Sequence, residues 1–184
     1  SGAAFSNEAR GFATLYAYGG SAGRTDQAIF RDGASDDRFY YSRDYSSLRT
    51  DGWVVGAYGF RNVQAIAGTG GNDMAILNGT AGIDRVTTSA GNDVSVVGSH
   101  YRAAALGFGN TEVYGRGGRD VAVFEDLTEV DELFGRTNLA QVNYSGMQTL
   151  LRDFAYVQAM VGEDRPGADI AAVDFLFELI ERRP

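Results

Sequence analysis

Three glycine-phenylalanine pairs, Gly11-Phe12, Gly59-Phe60 and Gly107-Phe108, stand 48 residues apart, and this fixed interval constrains the chain more than any single residue. Two ladders of aspartate repeat it at 47 residues, one through Asp26, Asp73 and Asp120 and one through Asp37, Asp84 and Asp131. Apolar positions keep the same beat: Phe5, Trp53 and Tyr101 are 48 apart, and Phe30, Leu77 and Phe124 are 47 apart. A fourth copy is decayed, with Met147 in the aromatic place and Asp153-Phe154 where a Gly-Phe pair would stand. Self-similarity at this period signals an array in which each unit buries its apolar face against its neighbours. The copies run over residues 11–58, 59–106 and 107–153, with 1–10 the end of a preceding copy. The array thus occupies 1–145, and 146–184 holds the decayed fourth repeat and a cap. A chain that begins inside a repeat leads us to expect further repeats upstream.

Within each unit the composition is that of short strands and tight turns. The chain has 25 glycines and only two prolines, and Gly/Asn/Asp clusters separate brief alternating runs. In the second copy the runs place strands over 62–67, 73–77, 84–88, 93–97 and 102–106. Gly68-Thr69-Gly70-Gly71-Asn72 and Ala81-Gly82 lie between them and supply the positive φ angles that tight turns demand. The fold class is therefore all-β, a β-solenoid or parallel β-helix-like array of 47–48-residue repeats. A β-propeller is the alternative, since blades of four strands have a similar length. A ring needs at least about four complete blades, whereas three complete copies trail here into a decayed one. Stacking predicts an inward aromatic column of Phe12, Phe60, Phe108 and Phe154, and a second of Phe5, Trp53, Tyr101 and Met147. One unit can wind one wide coil or two narrow ones; the spacing suits both. From Gly146 onward Met147, Leu150, Leu151, Phe154, Val157 and Val161 fit a helix as well as strands. Val173, Leu176, Phe177 and Ile180 have helical spacing behind Asp169, which gives a helical C-terminal cap, although the repeat register makes its beginning a strand.

Charge and residue types exclude several functions. Net charge is −8 and no basic run occurs, so nucleic acid is not an expected partner. No apolar run approaches the roughly 20 residues of a membrane span, and nothing at Ser1 to Arg10 reads as a signal peptide. Cysteine is absent and His100 is the only histidine, which leaves little for nucleophilic catalysis or a histidine-rich metal centre. Acidic pairs stand at Asp36-Asp37, Glu125-Asp126 and Asp131-Glu132, and Arg38 and Arg85 follow Asp37 and Asp84. Carboxylate pairs serve glycan hydrolysis, and a basic residue beside calcium-binding acids suits a polysaccharide-lyase-like β-helix. Residues that track a repeat suit a unique active site poorly. No catalytic residue and no cofactor-binding residue is assigned, and no cofactor is required by any motif.

The combination Gly59-Phe60, Gly71-Asn72-Asp73-Met74-Ala75-Ile76-Leu77, Ala81-Gly82-Ile83-Asp84-Arg85-Val86 and Tyr101 resembles the tandem repeats of very large secreted or surface proteins of planctomycetes and related bacteria. The likeness covers the chain to about Asp174. It implies an extracellular or cell-surface array with no assigned activity. The function expected is a non-catalytic structural or adhesive module, with surface glycans or other surface proteins as partners. A narrower likeness is to haemolysin-type calcium-binding β-roll nonapeptides, carried by Gly70-Gly71-Asn72-Asp73, Gly82-Ile83-Asp84 and Gly91-Asn92-Asp93, where Asp84 and Asp93 are one nonapeptide step of nine apart. That likeness implies calcium at Asp73, Asp84 and Asp93, because aspartates and turn carbonyls converge as oxygen ligands around a hard cation. The step occurs once: Ser46 and Ala140 stand nine residues after Asp37 and Asp131. The plain alternative is that these aspartates close turns through side chain to backbone hydrogen bonds. A carbohydrate-binding surface through Tyr40, Tyr41 and Tyr45 is the third reading.

Overall fold

The computed structural model describes residues 10–20, 26–89, 91–127, 131–144, 146–161, 169–172 and 177–180. The described residues contain strands and turns and no helix. The first copy supplies β1 (Thr14–Tyr18), β2 (Gln27–Arg31), β3 (Arg38–Ser42), β4 (Tyr45–Arg49) and β5 (Val54–Tyr58). The second supplies β6 (Asn62–Ile66), β7 (Met74–Asn78), β8 (Arg85–Thr88), β9 (Val94–Gly98) and β10 (Tyr101–Leu106). The third supplies β11 (Asn110–Tyr114), β12 (Val121–Leu127), β13 (Glu132–Arg136), β14 (Leu139–Tyr144) and β15 (Met147–Arg152). After them come β16 (Tyr156–Val161), β17 (Asp169–Ala172) and β18 (Phe177–Ile180).

These strands form two sheets, ordered β1-β5-β4-β3-β7-β11-β15-β14-β13-β17 and β18-β16-β12-β8-β9-β10-β6-β2. Strands from successive coils pair in parallel, as a solenoid requires: Arg38 sits opposite Met74 and Met74 opposite Asn110, each 36 residues on. The 47–48-residue unit is therefore neither one wide coil nor two narrow ones. Each copy adds an antiparallel meander to its coil, β3-β4-β5, then β8-β9-β10, then β13-β14-β15. The chain crosses between sheets after β1, after β2 and after β5. Three crossings per copy is an odd number, so the next copy lays the same pattern on the opposite sheet.

This alternation corrects the aromatic columns. Phe12, Phe60, Phe108 and Phe154 precede β1, β6, β11 and β16, which belong to the two sheets in turn. They keep one local geometry: φ is +73° at Gly11, +72° at Gly59 and Gly107, and +61° at Asp153, which adopts the left-handed turn without a glycine. They do not form one buried stack. Phe12 is 65% exposed, Phe60 is half-buried, and Phe108 is fully buried with its ring 6.1 Å from Phe39. In the second set, Tyr101 packs on Tyr41 at 5.8 Å, Trp53 and Met147 are only partly buried, and Phe5 lies outside the described residues.

One core fills the space between the sheets, with inward residues alternating along each strand. Phe39, Tyr41, Leu77, Val113 and Leu151 come from one side and Val63, Val86, Val96, Ala103 and Phe124 from the other. Phe30 meets Phe39 across it at 5.5 Å. The helical reading after Gly146 is not borne out. β15 pairs with β11 and β16 with β12, because an open rung satisfies the backbone of the next segment better than an isolated helix with no groove to lie in. The proposed helical cap falls on β17, on β18, and on residues 173–176 and 181–184, which lie outside the described residues.

Candidate functional site

The repeated aspartates stand at the corners where the chain turns into a new strand, and the structure shows what they do there. Asp37 immediately precedes β3 and Asp73 precedes β7, directly beside it in the sheet. The Asp37 main-chain N–H donates to Asp73 Oδ1 at 2.9 Å, and the Gly33 N–H donates to Asp37 Oδ2 at 3.1 Å. The next copy reproduces both contacts on the other sheet: the Asp84 N–H donates to Asp120 Oδ1 at 2.8 Å and the Thr80 N–H to Asp84 Oδ2 at 2.5 Å. All four residues are buried. A main-chain donor at a corner has no ladder partner and cannot be left unpaired in the interior, so the Asp73 and Asp120 carboxylates tie one coil to the next, while those of Asp37 and Asp84 close the turn that leads into their own strand.

Charge makes these contacts costly at neutral pH. Burial and the nearby Asp84 carboxylate push the Asp120 carboxyl up to about 6 against the opposing hydrogen bond from the Asp84 N–H. Burial also raises Asp73, and burial together with Asp73 pushes Asp32 up to about 6. Asp32 is the residue the periodicity did not single out. It opens the turn after β2, and its carboxylate accepts the Gly68 N–H. One carboxylate oxygen from each of Asp32, Asp37 and Asp73 lies within 4.8 Å of the others.

The residues expected to bind calcium are distributed differently. Asp73 belongs to this trio, Asp84 pairs with Asp120 on the other sheet, and Asp93 is exposed and accepts the Gly107 N–H at 3.1 Å. Asp73, Asp84 and Asp93 are not brought together. Asp32 escaped notice because the position 47 residues later is Gly79, so it has no counterpart in the second copy. A spacing of 36, shared by Asp37 to Asp73 and Asp84 to Asp120, is the signal that would have revealed the coil and, with it, Asp32 beside them.

Other candidates disperse. Arg38 and Arg85 open strands of opposite sheets and are exposed, while the neighbouring Asp37 and Asp84 are buried, so no shared face joins them. Asp36 is exposed and accepts the Asn72 N–H at 2.8 Å. Glu125 and Asp126 sit where β12 loses register with β16, and Asp126 has φ +57°. His100 is exposed in the turn between β9 and β10. Asn92 is spent in the core, its amide donating to the Phe108 carbonyl and accepting from Thr149 Oγ1. Tyr41 is fully buried, but Tyr40 and Tyr45 belong to a strip on the outer face of four adjacent strands. Tyr45 lies 4.7 Å from Tyr58, Tyr58 lies 5.1 Å from Tyr18 in a stacked pair, and Tyr16 lies 5.8 Å from Tyr58. A Cβ on Gly56 would stand 2.6 Å from the Tyr16 ring, so this glycine lets the ring lie down on the sheet. No helix among the described residues is long and apolar enough to cross a membrane. No protein-family model matches the chain, and comparison with curated proteins and with solved structures finds no match.

Proposed function

We propose that the chain is a non-catalytic structural and adhesive repeat module of a large bacterial extracellular or cell-surface protein, working as a stacked spacer whose outer faces are available for contact. The observation that carries this reading is the use made of the recurrent carboxylates. Asp37, Asp73, Asp84 and Asp120 are buried, and one oxygen of each, four in all, accepts a main-chain N–H group of the same or the neighbouring coil. Residues so engaged hold a scaffold and are withheld from substrate. Protease treatment of intact producing cells tests the location: release of the module's fragments without lysis is expected, and resistance until lysis would overturn the surface assignment.

The tyrosine strip favours a second, compatible reading, attachment to surface glycans. Tyr18 is 75% exposed and Tyr16 47%, and an exposed aromatic face beside a hydroxyl suits stacking on a sugar ring. Retention on a glycan panel that Tyr58→Ala abolishes would support it. Absence of retention by the unaltered chain would leave the spacer role alone.

A further inference from the structure

We propose that Asp32, Asp37 and Asp73 form a binding site for a hard divalent cation, calcium, at the junction of two successive coils. Proximity of acids would not suffice. The second observation is an unmet valence: Asp37 is 2% exposed, and its Oδ1 is buried with no hydrogen-bond donor. Asp32 Oδ2 is likewise buried without a donor. The three N–H groups that reach the trio, from Gly33, Asp37 and Gly68, go to other oxygens, namely Asp37 Oδ2, Asp73 Oδ1 and Asp32 Oδ1. Orphaned carboxylate oxygens therefore remain on two of the three acids, in a place where water is largely excluded.

The repeat provides an internal control. Asp84 and Asp120 reproduce the main-chain contacts of Asp37 and Asp73 on the opposite sheet, and Asp120 Oδ2 is likewise buried without a donor, so what sets the first corner apart is its third carboxylate, within 4.8 Å of the other two. Where Asp32 would recur stands Gly79, and a Cβ there would lie 2.7 Å from Asp84 Oδ2. The third carboxylate is thus an addition to one corner, and its scaffold contact is with the N–H of Gly68, an exposed residue. Its chemistry selects the ion. The donor set is all oxygen, which suits a hard cation. Calcium binds oxygen at 2.3–2.6 Å in irregular polyhedra, so its ligand atoms lie up to roughly 5 Å apart, and the 4.8 Å bound on the trio fits within that. Magnesium at about 2.0–2.1 Å demands a tighter octahedron. The ligands come from one turn and from the corner 36 residues later, a different construction from ligands nine residues apart.

Thermal melts of the full chain, followed by circular dichroism in chelator and in calcium chloride up to about 10 mM, well above the roughly 1 mM of the weakest known oxygen-ligand sites, test the proposal. The midpoint of the unaltered chain is expected to rise with the logarithm of calcium concentration, as for any ligand that binds only the folded form. Titration calorimetry should give one ion per chain. Asp32→Gly, which copies the second coil, is expected to fold and to give a flat response. Asp32→Asn serves the same purpose if the glycine variant does not fold. An unaltered-chain midpoint identical in chelator and calcium overturns the proposal, and points to a proton shared among the acids instead. It is equally overturned by a rise that sodium chloride reproduces at matched ionic strength, or by a full calcium response in the Asp32 variants.

Discussion

Alanine at each of Phe12, Phe60 and Phe108 measures how far equivalence in sequence is equivalence in packing. Phe108 is fully buried, packs on Phe39, and lies beside the Asn92 amide that its own carbonyl accepts. Removing so enclosed a ring costs about 3–5 kcal/mol, the lost transfer energy plus the cavity left behind. Phe60 is half-buried against the core, which scales the loss to roughly 1–3 kcal/mol. Phe12 is 65% exposed, and its removal should stay within about 0.5 kcal/mol, as for surface positions generally. Urea unfolding by circular dichroism reads the difference. With a slope of about 2–3 kcal/mol per M, Phe108→Ala lowers the midpoint by roughly 1–2.5 M, while Phe12→Ala leaves it nearly in place. Equal shifts for Phe12 and Phe108, which precede β1 and β11 of the same sheet, would refute the difference in packing that the structure gives these two rings.

Other consequences can be checked in the same assay. Asp120 holds its proton to about pH 6 in the folded chain against an ordinary value of 3.8, so between those values the folded form binds more protons than the unfolded one and stability falls as pH rises. Asp120→Asn, which keeps an oxygen for the Asp84 N–H, is expected to flatten part of that slope and raise the midpoint at pH 7.5; an unchanged pH profile would count against a buried charge there. Gly115→Ala places a Cβ 2.4 Å from the Asp153 carbonyl oxygen and should cost about 1–3 kcal/mol of stability, whereas Gly52→Ala, with nothing within 4 Å, should be neutral or gain up to about 1 kcal/mol. Tyr41→Phe removes a buried hydroxyl without a partner and should leave stability unchanged or raise it by up to about 1 kcal/mol, since an orphan polar group is costly to bury; a clear loss would reveal a partner.

The strands of the second copy were legible almost to the residue, because glycine, asparagine and aspartate fix turns through local geometry. The run expected over 62–67 is Asn62–Ile66, and that over 102–106 is Tyr101–Leu106. Which sheet each strand joins was not legible. That depends on how many times the chain crosses the core, a property of the path that no local residue encodes. Tyr40 and Tyr41 illustrate the same limit: alternation puts adjacent tyrosines on opposite faces, and only the pairing of β3 with β7 decides that Tyr41 goes in. In the C-terminal part, Met147, Leu150, Leu151 and Phe154 satisfy helical and strand patterns together, and the waiting edges of β11 and β12 broke the tie. Asp32 leaves no trace in the periodicity, since one coil adds it and Gly79 stands at the equivalent place in the next copy.

An odd number of passages through the core gives the array a handed memory of how many units precede any point. Excising a single unit would turn every surface beyond the cut to the other side of the rod, whereas excising two would restore it. A surface kept on one side, such as the tyrosines around Tyr58, can therefore be duplicated in line only by copying units in pairs.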